Sequence, residues 1–188
     1  MKNNFILLGS VVGLLTYIPL MIVLMRGGTQ NFATWLLWAV LDGIAAGSIF
    51  LQGGNFWLPV AYTFGSIIIT ITLFAKKQRS WTWFESFVTF LVGICLVVWS
   101  VTSSYHATVA SVVALIFASL PQIVDTWKAP IRSLIPIWSG FGLANAMSFM
   151  GGKEWSVSER LYSGTAGVLC LVLIVFSFRS NAERPAVV

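Results

Sequence analysis

Seven runs of apolar residues, each about as long as a membrane is thick, take up almost all of this 188-residue chain. They fall at about 5 to 25, 31 to 52, 56 to 75, 81 to 102, 106 to 128, 131 to 150 and 158 to 178. A helix rising 1.5 Å per residue needs about 20 residues to cross a hydrocarbon core about 30 Å thick. Each run therefore predicts one span. The breaks between them are short and suit tight turns: Arg26-Gly27-Gly28, Gly53-Gly54-Asn55, Lys76-Lys77-Gln78-Arg79, Ser103 to His106, Ala129-Pro130, and Gly151-Gly152-Lys153-Glu154. The fold class that follows is an all-α membrane protein of seven transmembrane helices. No length remains for a soluble catalytic domain.

Composition agrees. Only 9% of residues are charged and 57% are hydrophobic, with a mean hydropathy of +0.87; soluble domains carry about a quarter charged. The net charge of +5 does not mark a nucleic-acid binder, because the eleven Lys and Arg are scattered singly and form no basic face. They read instead as topology determinants. Arg26, Lys76, Lys77, Arg79, Lys128, Arg132, Arg179 and Arg184 fall on one side, against Lys2, Lys153 and Arg160 on the other. That bias predicts the N-terminus outside and the C-terminus in the cytoplasm. Trp57, Trp81, Trp83, Trp127 and Trp155 lie near predicted helix ends, as interfacial anchors do. The first run is too long for a signal-peptide core and reads as a mature helix. Cys95 and Cys170, in apolar runs without CxxC spacing, read as inert buried thiols.

Compared with itself at an offset near 100 residues, the chain shows an ordered internal correspondence. Ile18-Pro19 answers Leu120-Pro121, with Arg26 and Lys128 each seven positions beyond the proline. Trp35 answers Trp138, Asp42 answers Asn145, and Tyr62-Thr63 answers Tyr162-Ser163. An odd helix between the units makes both run in the same direction. The expected layout is a first three-helix repeat at 1–78, a linker helix at 79–105, a second repeat at 106–180 and a cytoplasmic tail at 181–188: two parallel bundles in a 3+1+3 order.

The segment Ser119-Leu120-Pro121-Gln122-Ile123-Val124-Asp125-Thr126-Trp127-Lys128, followed by Ser133 and Trp138, resembles the PQ-loop motif. Together with the 3+1+3 order and an outside N-terminus, it makes the chain similar to the SWEET sugar facilitators and their PQ-loop relatives, cystinosin and the KDEL receptor among them. The first unit has Pro19-Leu20 where the motif has Pro-Gln, and Tyr62 and Tyr162 stand near the levels where SWEETs bind sugar through asparagine. The resemblance implies alternating access about a central site, with Pro19 and Pro121 as hinges.

A proline inside a membrane helix removes one backbone hydrogen bond and allows a bend. Pro19, Pro59, Pro121 and Pro136 are such candidates, with static kinks as the competing account. Asp42 is the sharpest candidate. A carboxyl group in mid-span costs about 2.5 to 3.5 kcal/mol on insertion scales and usually faces a watery cavity or a partner. It is the proton-coupling candidate, or else structural glue hydrogen-bonded to Asn145. The two are expected to form a polar pair across the pseudo-two-fold axis. Trp35, Trp38 and Trp138 offer flat walls for a solute, although Trp35 and Trp138 near helix starts suit anchoring as well. Tyr62 and Tyr162, with Thr63 and Ser163, can reach the same cavity or bond backbone carbonyls instead. Gln122 and Asp125 are placed to latch an inner gate, with an Asp125–Lys128 pair as the alternative for the latter. Glu85 suits the start of the fourth helix beside Lys76, Lys77 and Arg79, and His106 reads as a loop residue.

No catalytic triad, metal cluster or cofactor fingerprint is visible, so no enzyme, metal or cofactor is expected. The last span has no lysine for retinal. The functional expectation is an alternating-access transporter of a small polar metabolite, either a sugar or a proton-coupled amino-acid-like solute. Its partners are then the solute and the bilayer, with a homo-oligomer as an option and no nucleic acid. A non-transporting receptor of the same fold is the alternative, but spans nearly free of Lys and Arg offer little to hold a carboxylate ligand. A stripe of small residues, Gly140, Gly142 and Ala144, hints at an assembly surface or at close packing within the unit. Short loops favour a bacterial plasma membrane.

Overall fold

The structure is a computed structural model describing residues 2–179. The expected tail at 181–188, with Arg184, lies outside the described residues. Seven α-helices follow in order: α1 Lys2–Met25, α2 Phe32–Leu51, α3 Trp57–Ala75, α4 Trp83–Val101, α5 Ser104–Lys128, α6 Ile135–Gly151 and α7 Tyr162–Ser177. A 3₁₀ turn, Arg132–Leu134, leads into α6, and a π-helical turn, Val157–Leu161, leads into α7. Six helices, counting the π turn with α7, are long and apolar enough to cross a membrane. The chain is an all-helical integral membrane protein.

The seventh expected span, α6, has 17 residues. It reaches about 25 Å, short of a core about 30 Å thick. Pro136 is the reason. It lacks a backbone N–H and fits only the first turn of a helix, so α6 starts at Ile135 and the residues before it form the 3₁₀ turn. Pro59 likewise sits in the first turn of α3. Neither breaks a helix interior, which corrects the expectation for both; among the described residues only Pro19 in α1 and Pro121 in α5 do so. Those two are not equivalent in surroundings, because Pro19 faces outward and Pro121 is buried.

Local chemistry explains the other starts. The Asn31 side chain accepts from Thr34 N at 3.0 Å and caps α2. Thr82 and Glu85 form a reciprocal capping box on α4, bonding through both the Thr82 backbone and its hydroxyl.

α1 packs on α3 and α6, and α2 on α3 and α5; α7 packs on α5 and α6, and α4 lies almost entirely against α5. The small stripe on α6 is used on α1, where Gly140 meets Thr16 and Ala144 lies against Gly9. Leu20, Leu24, Leu41, Ile49, Leu58, Ile69 and Leu73 fill the interior. Outward faces carry Leu8, Val11, Leu15, Phe64, Ile71, Phe90 and Val97, a surface for hydrocarbon to cover.

Cross-links define two ends. At the first, Gln78 Nε2 donates to Gly28 O at 3.0 Å and Asn31 Nδ2 to Asp125 Oδ2 at 3.0 Å. Arg26, Lys76, Lys77, Arg79, Lys128, Arg132 and Arg179 cluster around these connections; this is the basic end. At the opposite end, Asn55 of the α2–α3 connection donates through Nδ2 to Ser148 Oγ at 2.9 Å, and its N–H to Ser158 O at 3.2 Å. Trp57, Trp81, Trp83, Trp127 and Trp155 are all exposed close to helix ends.

Candidate functional site

A cavity of about 50 Å³ lies at the meeting of α1, α2, α3, α5, α6 and α7. Helical periodicity builds its walls in matched sets. Trp35, Trp38 and Asp42 follow i, i+3, i+7 spacing on α2, and Trp138, Phe141 and Asn145 repeat that spacing on α6. Tyr62 and Ser66 face it from α3, and Tyr162, Ala166 and Cys170 from α7. Trp35 and Trp138 are each the fourth residue of their helix, yet both are only 1% exposed. Burial removes the anchoring account for this pair. Their rings are 6.4 Å apart at an interplanar angle of 12°, with Trp38 set edge-on to both.

Asp42 and Asn145 are 2% and 1% exposed and line the same cavity. The expected direct bond between them does not form. Instead each takes the tyrosine of the opposite half: Tyr162 OH donates to Asp42 Oδ1 at 2.6 Å, and Asn145 Nδ2 donates to Tyr62 OH at 2.9 Å. The four side chains thus make two crossed links, α2 to α7 and α6 to α3. Tyr62 OH in turn donates to Phe141 O at 3.3 Å, and Asn145 Nδ2 also reaches Phe141 O at 2.8 Å. No Lys, Arg or His lines the cavity.

Two polar atoms in this wall are buried without a partner, the Trp138 Nε1–H donor and the Asn145 Oδ1 acceptor. Leaving either unpaired costs about 1 to 3 kcal/mol. Trp138 and Asn145 both line the cavity, which has room for about four waters.

Thr63 and Ser163 do not join the wall: Thr63 Oγ1 donates to Pro59 O at 2.8 Å and Ser163 Oγ to Arg160 O at 3.4 Å. Cys170 is buried and lies 3.9 Å from Asn145 Nδ2.

Sequence reasoning missed Tyr17, Phe141 and Ser66. Tyr17 OH donates to Tyr62 O at 3.2 Å and lies 3.1 Å from Ser66 Oγ, and the Tyr17 ring meets Phe141 edge-on at 4.9 Å. The signal was present, since Gly13, Tyr17, Leu20 and Leu24 form one buried helical stripe on α1.

At the basic end a second cavity, about 290 Å³, is lined by Gln30, Asn31, Ser80, Gln122, Asp125 and Lys128, among others. Trp35 links the two cavities: its ring lines the inner one and its Nε1 donates to Gln30 Oε1 at 3.3 Å. Trp38 Nε1 donates to Ser119 Oγ at 3.1 Å, one turn of α5 before Gln122. Gln122 is 3% exposed, donates to Thr126 Oγ1 at 3.3 Å and leaves its Oε1 unpaired.

Asp125 makes no ion pair with Lys128 among the described residues and accepts from Asn31 instead. Asn31 Nδ2 also donates to Glu85 Oε1 at 3.3 Å, tying the ends of α2, α4 and α5 together. His106 is exposed in the first turn of α5, with Nδ1 2.9 Å from Ser103 Oγ. No family model, curated protein or solved structure matches the chain.

Proposed function

We propose that this protein is an alternating-access transporter of a small polar metabolite, of the PQ-loop and SWEET type, in which two three-helix units move about the inner cavity. The observation that carries the reading is Asp42: a carboxyl group in mid-span, 2% exposed, lining a polar-aromatic cavity without a cation. Such a group is expensive to keep in a membrane and commonly marks a solute or proton path.

Helix packing supports the repeat. Exchanging α1 with α5, α2 with α6 and α3 with α7 carries three packed pairs onto three others: α1–α3 onto α5–α7, α2–α3 onto α6–α7, and α1–α6 onto α2–α5. The crossed links of Asp42 and Asn145 obey the same exchange. α4, left over by it, serves as the linker. Clustering of basic residues at one end supports a cytoplasmic location for that end, and a bacterial plasma membrane is the proposed host.

In the conformation described, the inner cavity is too small for a sugar, and on its side toward the basic end Trp35 and Trp38 are hydrogen-bonded to Gln30 and Ser119. Opening toward that end requires those indoles to part from their acceptors. Pro121, buried in α5 two residues beyond Ser119, frees a carbonyl where such a bend is needed. Gln122, with an unpaired oxygen on the larger cavity, is placed to meet a solute there.

The test is uptake by purified protein in liposomes, across radiolabelled sugars, amino acids and other small metabolites, with and without an inward proton gradient. Gradient-stimulated uptake lost in Asp42→Asn is the expected result for a proton-coupled carrier. Uptake indifferent to both marks a facilitator. Saturable binding of a solute without flux of any solute overturns transport and leaves a receptor.

A further inference from the structure

The inner cavity also restricts the kind of ligand it can hold. Most of its polar atoms are already engaged: all three tyrosine hydroxyls, the Trp35 and Trp38 N–H groups and the Asn145 amide nitrogen have protein partners. What remains buried and unpaired is one donor, Trp138 Nε1–H, and one acceptor, Asn145 Oδ1, beside the Asp42 carboxyl. A sugar presents a hydroxyl on almost every carbon and needs many more partners when buried. An amino-acid zwitterion needs several donors for its carboxylate, and the cavity offers one unpaired donor, Trp138 Nε1–H, and no Lys, Arg or His.

Aromatic surface, by contrast, is abundant and turned in several directions. Trp38 and Trp138 stand at 89° with centroids 6.4 Å apart, and Tyr62 and Tyr162 at 54° and 6.4 Å. Faces at varied angles around an acidic group are the surroundings that a cation with a hydrocarbon skin prefers, because ring quadrupoles attract its charge and ring carbons cover its alkyl groups. Size agrees. Room for about four waters suits a compact head of about five heavy atoms better than a pyranose ring.

We propose that the ligand of this cavity is a small organic monocation, an alkylated ammonium centre carrying no carboxylate, seated with its charge toward Asp42 and its methyl groups on Trp38, Trp138, Tyr62 and Tyr162. The inference rests on the reading of this cavity as the solute site and narrows the class of solute. Asn145 Oδ1 and Trp138 Nε1–H are then free to bond a hydroxyl or carbonyl elsewhere on the same molecule.

The experiment measures equilibrium binding of radiolabelled choline to the full chain in detergent, and separately its uptake into liposomes. Saturable choline binding is expected, displaced by tetramethylammonium and not by glucose, glycine or adenine. The uncharged isostere 3,3-dimethylbutanol has the same shape without the charge and is expected to compete at least about tenfold more weakly. This comparison uses the unaltered chain, so it does not depend on a variant that folds. In Asp42→Asn, choline affinity falls at least about tenfold.

Equal competition by the neutral isostere, or no choline binding, overturns the cation assignment. Sugar or zwitterion uptake without choline binding does so as well, while leaving transport intact. Choline binding with no flux of any solute upholds the assignment and sinks the transporter reading instead.

Discussion

The Tyr162 hydroxyl donates to Asp42 Oδ1 at 2.6 Å, joining α7 to α2 at the wall of the inner cavity. No basic residue shares that wall, so the phenol is the only hydrogen-bond donor recorded on the carboxyl group among the described residues. Removing it in Tyr162→Phe keeps the ring and leaves a buried carboxyl oxygen bare. A loss of about 1 to 3 kcal/mol is expected, visible as a lower unfolding temperature in detergent. Tyr62→Phe should cost less, because Asn145 Nδ2 keeps its second acceptor, Phe141 O, at 2.8 Å. Equal effects of the two changes would contradict this asymmetry.

Gly65 is where α3 makes room for Tyr17. A methyl group there would run into the Tyr17 ring, whose hydroxyl is held by Tyr62 O and Ser66. Gly65→Ala is expected to destabilise by about 1 to 3 kcal/mol through overpacking. In a Tyr17→Ala background the same change should cost markedly less, since the clash is gone. Thermal unfolding of the four chains of this double-mutant cycle decides it.

At the basic end, Asn31 both caps α2 through Oδ1 and donates through Nδ2 to Glu85 and Asp125. Asn31→Asp retains the capping oxygen, since aspartate caps a helix as well as asparagine does. It also replaces the donor with a third carboxylate. The variant should be less stable than wild type at low ionic strength and recover part of the loss in added salt, because Asp125 is exposed and its repulsion is screened. A deficit unchanged by salt would point to lost capping rather than charge.

Arg160 closes the opposite end of α6. Its guanidinium bonds the carbonyls of Phe149, Gly152 and Glu154, the last two at 2.8 and 3.0 Å, and lies over the Trp155 ring at 4.3 Å. Lysine has the charge without the planar fork. Arg160→Lys should speed amide hydrogen exchange in residues 149–154 and leave the basic end unchanged. Unaltered exchange there would mean that the α6 end is held by something else.

Orientation is open to direct labelling. With Cys95 and Cys170 replaced, Ser80→Cys should react with a membrane-impermeant maleimide only after permeabilisation, and Glu154→Cys in intact cells. The reverse pattern would invert the proposed topology.

Much of this protein was legible in one dimension. Burial in lipid demands long apolar helices, so seven runs and their breaks appear as composition, and, with the π turn counted into α7, the observed helix limits fall within three residues of them except at α6. There a local rule about Pro136 overrode the apolar run. The matched positions were visible in one dimension as well: Trp35 with Trp138, Asp42 with Asn145, Tyr62 with Tyr162. Helical spacing then puts Trp35, Trp38 and Asp42 on one face without any knowledge of neighbours.

What the tertiary structure alone decided is who meets whom. Sequence symmetry paired Asp42 with Asn145, but in the folded bundle a tyrosine of α7 reaches Asp42 and a tyrosine of α3 is reached by Asn145, so each polar group bonds a tyrosine of the other half. Periodicity ranks a residue as inward without saying which helix it faces. Tyr17, on the buried stripe of α1, therefore became a cavity residue only when α3 and α6 closed on it. The same limit hid the Trp138 N–H and the Asn145 oxygen. An unpaired polar atom is a property of everything around it, and no single helix carries that information.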